Sequence, residues 1–139
     1  MYIGLLHLHS NLPYLLFLAI ALVLVLSIKG LFQKTDFSAF QQKSVLFSMI
    51  LIHIQWTVGL VLYFISPNVK SFSQLDMSNS LERLYALEHP IMMTIALVLL
   101  TIARSKSKKT NNSSMNKTVL VLFGLALGCI LFCLPPSWL

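Results

Sequence analysis

The chain has 139 residues, of which 57% are hydrophobic and only 10% charged. Soluble domains carry about 25% charged residues, so this chain has too few to clothe a water-facing surface, and lipid is the implied solvent. Its ten Lys and Arg outnumber four Asp and Glu, but they sit in short segments between apolar runs rather than on a folded polar scaffold, which argues against a nucleic-acid interface.

One domain, residues 1–139, is expected, with helices at about 5–28, 45–65, 81–103 and 118–134. Once its flanks are included, each run can reach the ~20 helical residues that a ~30 Å hydrocarbon core requires. None alternates as a strand would, and only helices or closed barrels satisfy their backbone in lipid. The first run has no basic segment ahead of it and no small-x-small site after Leu26, so it reads as a helix of the mature protein rather than a signal peptide.

Between the runs, the segments 29–44 and 104–117 carry Lys29, Lys34, Lys43, Arg104, Lys106, Lys108, Lys109 and Lys117. The segment 66–80 and the start of the third helix offer only Lys70 and Arg83, against Asp76, Glu82 and Glu88. The positive-inside rule then makes 29–44 and 104–117 cytoplasmic loops and turns 66–80 and both termini outward. The stretch 105–116, rich in Ser, Asn and Lys, reads as a flexible loop. The implied fold class is all-α: an integral membrane four-helix bundle, up-down-up-down, with both termini on the outer side, which in a bacterium means the periplasmic side of the inner membrane.

Local signals refine the helices. Asn79 or Ser80 suits an N-cap for the third. Pro90, inside it, removes a backbone hydrogen bond and should kink it. Trp138, beyond Pro135 and Pro136, suits an interfacial anchor. Gly124 and Gly128 form a small-xxx-small pair suited to close helix approach. Cys129 and Cys133 share one helix face, where disulfide geometry is poor, and read as packing residues.

Ionisable groups inside a span are costly and raise functional hypotheses by default. They are His53 in the second helix, Glu88 and His89 in the third, and His7 and His9 leading into the first. Ser48, Gln55, Gly59 and Ser66 lie within about 40° on the second helix, a stripe suited to packing in lipid. His53 points nearly opposite, either to a neighbouring helix or to a cofactor. Tyr85, His89, Met92, Met93 and Ala96 share a broad face of the third helix, and Glu88 could accept a hydrogen bond behind a ligating imidazole. His7 and His9 lie on different faces, so at most one points inward. No phosphate loop, HExxH, CxxC or haem-attachment motif occurs, so nothing in the residues argues directly for a stand-alone enzyme.

The strings LLHLHS at 5–10, HIQWTVGLVLYFISP at 53–67, RLYALEHPIMM at 83–93 and TIARSKSKK at 101–109 together resemble a family of small four-helix membrane proteins of Bacteroidota labelled cytochrome b-like. The segment from Gln55 to Gly59 and the pair Glu88-His89 are also similar, more distantly, to the four-helix halves of haem A synthase, which hold haem between histidines. Pro90 stands here where that enzyme has arginine after its histidine. The resemblance implies haem b, carried for membrane electron transfer.

At ~1.5 Å per residue, His53 lies on the order of 10 Å deeper than His89, so His9 and His89 are the better axial pair. His53 is then a supporting, proton-handling or partner-contacting residue, with Gln55, Tyr85 and Glu88 around the site. Two alternatives stand beside haem. Copper would draw on His7, His9, His89, Met92, Met93, Cys129 and Cys133. A cofactor-free accessory subunit would pack against other membrane subunits. A quinone would be a redox partner in the first case, though no motif identifies one.

Overall fold

The computed structural model describes residues 1–67, 69 and 74–135; the expected roles of Lys70 and Trp138 lie outside these. It is all-helical, with no strand among the described residues. Helix α1 spans Tyr2–Gln33 and α2 Ala39–Ile65. A third span begins with the short α3, Ser80–Arg83, passes through a π-helical turn at Leu84–Glu88 and continues as α4, His89–Lys109. Helix α5 is Ser114–Phe132. Four helices are long and apolar enough to cross a membrane.

The apolar character extends all round each helix. At most a third of the most apolar window of each span is buried within the chain, while Leu18, Val25, Phe64 and Phe132 lie on the outside. In water such a surface would associate without limit; in a bilayer it is the ordinary outer face. The protein is therefore a multi-pass membrane protein with lipid as its surroundings.

The helices run further than the apolar runs that announce them, except that α5 ends at Phe132, two residues short of the expected 134. A lipid-crossing run records only the part that must be apolar, whereas a helix continues until its caps allow it to stop. At about 1.5 Å per residue, α1 is about 48 Å long, well beyond the ~30 Å core. It stops where Lys34 turns into the left-handed region, φ 54°, and sends its N–H back to the Gly30 carbonyl. Helix α2 starts six residues before the expected position because Ser38 and Gln41 form a capping box: the Ser38 Oγ accepts from Gln41 N and the Gln41 Oε1 accepts from Ser38 N. Asn79 caps α3 as expected, its Oδ1 accepting from the N–H groups of Leu81 and Glu82. The expected cytoplasmic loops 29–44 and 104–117 consequently shrink to the turns 34–38 and 110–113. The stretch 105–116 is not a flexible loop: its two ends belong to α4 and α5, and Asn116 is fully buried.

Helices α1 and α4 each pack along α2 and α5 and thus face one another across the bundle. The core follows helical spacing: Leu16, Ile20 and Val23 on α1, Val45 and Ile52 on α2, Ala96, Leu100 and Ala103 on α4, Val119, Phe123 and Ala126 on α5. Without a hydrophobic force between helices in lipid, close van der Waals fit holds them. The buried alanines supply the close approach. Gly124 and Gly128 do not: a Cβ on either would meet nothing within 4 Å. They fall out of phase with Phe123, Ala126 and Ile130, so their face looks away from the bundle.

One end of the bundle is clasped by amides. Gln41 Nε2 donates to Asn116 Oδ1 at 2.8 Å, and Asn116 Nδ2 donates to the carbonyls of Thr35 and Ser113 at 2.8 and 3.2 Å. A Cβ on Gly30 would lie 2.4 Å from Asn116 Oδ1, so only glycine lets α1 and α5 meet there. The other end carries the histidines.

Candidate functional site

Two prolines govern the histidine end. Pro13 lies inside α1 and has no N–H for the His9 carbonyl four residues earlier. Pro90, at the start of α4, likewise fails the Ala86 carbonyl. An unpaired carbonyl in lipid costs several kcal/mol in order of magnitude. Helix α2 answers both. Gln55 Nε2 donates to the His9 carbonyl at 2.8 Å, and the Tyr63 hydroxyl donates to the Ala86 carbonyl at 3.1 Å. These side chains lie two helical turns apart on α2 and fasten it to α1 on one side and to the third span on the other.

The Gln55 contact also sets the chemistry of His9. Its amide nitrogen, held toward the carbonyl, lies 3.1 Å from His9 Nδ1. An NH2 there can only donate, so Nδ1 accepts and the proton of the neutral ring sits on Nε2. Gln55 Oε1 is left buried and without a partner. Gly59, one turn along α2, backs the same imidazole: a Cβ there would lie 2.8 Å from His9 Cε1. Of the small-residue stripe expected on α2, Ser48 and Gln55 are buried and Gly59 meets His9.

His89 arrives on the opposite helix. The π turn ahead of it shifts the helical phase, and the His89 N–H bonds the Leu84 carbonyl five residues back. Its Nδ1 lies 2.9 Å from the Cys133 carbonyl beyond α5. A carbonyl only accepts, so Nδ1 carries the proton and Nε2 has a free lone pair. The ring centres of His9 and His89 are 6.2 Å apart with planes at 75°. The structure thus brings together the pair singled out in the sequence.

The remaining expected residues distribute differently. His7 is exposed. His53 is half-buried, away from the pair, and its Nδ1 turns back 2.7 Å to the Met49 carbonyl of its own helix. Glu88 does not stand behind an imidazole: its Oε1 takes the Arg83 Nε at 2.6 Å. Tyr85 is half-buried within the π turn. Cys129 and Cys133 are free thiols. Among the described residues no three His, Cys, Asp or Glu side chains converge on a common point, and the copper donors expected from the sequence do not gather into one site. Tyr63 and the Cys133 carbonyl were not foreseen. The proline spacing flags the first, since a residue four before an internal proline needs a donor.

The spacing of this pair leaves room for one metal ion bonded at ~2.0–2.1 Å to a nitrogen of each ring. His89 already presents a free Nε2. His9 would do so once its proton moved to Nδ1, and the orphaned Gln55 Oε1 is the acceptor that a turn of the amide would offer it. His9 and His89 are thus the candidate ligand pair among the described residues. No protein-family model, curated protein or solved structure matches this chain. Fold and site together define a multi-pass helical membrane protein with a paired-histidine centre.

Proposed function

We propose that the chain is a bacterial inner-membrane protein, up-down-up-down with both termini outward, that carries a b-type haem between His9 and His89 for electron transfer. One observation supports this above the rest: two imidazoles from facing helices, ring centres 6.2 Å apart, each with Nδ1 engaged by the protein. When bound, haem supplies one-electron redox chemistry, its potential set by the axial ligands and their hydrogen bonds. The Cys133 carbonyl orients His89 and makes its ring a stronger donor. Gln55 and Gly59 fix the position of His9. Both rings are half-buried in the structure.

The purified protein, expressed with haem supplementation, should show a Soret band. His9→Ala and His89→Ala should each abolish it, while His7→Ala and His53→Ala should retain it. A colourless wild-type protein would sink this reading. One feature favours a second reading, a cofactor-free accessory subunit of a larger membrane complex: the outward Gly124 and Gly128, which leave open space on α5. The same spectrum separates the two, because that reading requires a stable protein with no visible absorption.

A further inference from the structure

At the end opposite the histidines, the outer surface of α1 and α2 forms an open groove of about 370 Å3. Its walls are apolar, made by Leu15, Leu18 and Leu22 of α1 with Phe40 and Phe47 of α2, and Lys43 stands at its edge. Lys43 also borders a second recess of about 150 Å3 between α2 and α4, whose far wall is Arg104. One ammonium is thus shared between an apolar channel and a cleft that ends in a guanidinium. Arg104 Nη1 reaches the Gln42 carbonyl at 3.4 Å, which holds it over this cleft. Neither cation has a carboxylate within ion-pairing distance among the described residues.

We propose that this surface is a binding site for one anionic phospholipid, with an acyl chain along the α1–α2 groove and the phosphate between Lys43 and Arg104. Charge and shape select the occupant together. A soluble anion would not use an apolar channel that faces lipid. A zwitterionic lipid would fill the channel but place its own cation among Lys43, Arg104 and the neighbouring lysines. Basic recesses between membrane helices are suited to anionic headgroups, and each nearby Lys or Arg strengthens the attraction about fivefold. Asp36 is the sole acid in the short turns at this end, and it forms no ion pair with either cation. The site is independent of the haem reading and rests on the membrane setting alone.

Native mass spectrometry of the full chain in detergent, with phosphatidylglycerol and phosphatidylcholine of identical acyl chains, tests it. The wild-type protein should retain phosphatidylglycerol in preference. Lys43→Ala and Arg104→Ala should each lower that preference about fivefold. Lys29→Ala, which removes an exposed cation from the same end but outside both recesses, should leave it intact. Equal retention of the two lipids by the wild type would overturn the proposal. So would an equal loss in all three variants, which would mean a diffuse basic surface rather than a site. Lys43 is exposed on α2, and alanine favours a helix, so the decisive variant should remain folded.

Discussion

Pro13 removes the N–H that would have paired with the His9 carbonyl, Gln55 replaces it, and the same amide then dictates which nitrogen of His9 holds the proton. This chain of causes is testable as a cycle. Gln55→Leu leaves the carbonyl unpaired and should destabilise the protein by roughly 1–2 kcal/mol, read as a fall in melting temperature in detergent. In a Pro13→Ala background the backbone supplies its own donor, and the same substitution should cost about half as much. Equal costs in both backgrounds would show that Gln55 acts through the imidazole alone. The histidines themselves were legible in the sequence, because an imidazole inside an apolar run is costly enough to need a reason. Their supports were not. Glu88 drew attention as the neighbour of His89, yet adjacent residues on a helix diverge by about 100°, and the π turn sets Glu88 beside Arg83, five residues back.

At the scale of the element, hydropathy located all four spans and misjudged their lengths. The reason is physical: the composition of a span reports what touches hydrocarbon, whereas its ends are decided by caps that involve one or two polar residues. Ser38-x-x-Gln41 is such a signal, and it lies outside the apolar run. Ser38→Ala removes the acceptor for Gln41 N and weakens the box, and should cost about 1 kcal/mol. The loss should be local. Hydrogen exchange would show faster exchange in the first turns of α2, near Ala39 to Ser44, with the amides around Ile52 unchanged. Slow exchange throughout α2 in the variant would mean that the Gln41–Asn116 bond, rather than the cap, fixes the start of the helix. The π turn was the other feature hidden from a reading at 100° per residue. It changes phase midway through the third span, and a single periodicity cannot describe both sides of it.

For the whole molecule, the two ends have opposite characters, and function follows from which end faces which compartment. Eight of the ten Lys and Arg lie in or beside the turns 34–38 and 110–113, the end that holds the amide clasp and the proposed lipid site. The proposed orientation keeps this end in the cytoplasm. A single cysteine reports the outcome directly. With Cys129 and Cys133 replaced by alanine, Ser78→Cys should react with a membrane-impermeant maleimide in cells whose outer membrane is permeabilised. Asn111→Cys should react only after the inner membrane is broken. Ser78 is exposed ahead of α3, and Asn111 is exposed in the turn before α5, so access depends on side rather than burial. The reverse pattern would invert the protein and move the His9–His89 centre to the cytoplasmic leaflet, where its redox partner would have to be sought. It would also place Lys43 and Arg104 against the outer leaflet. The internal geometry of both sites would survive that inversion, because helix packing fixes it, whereas the distribution of charge fixes only the compartment it serves.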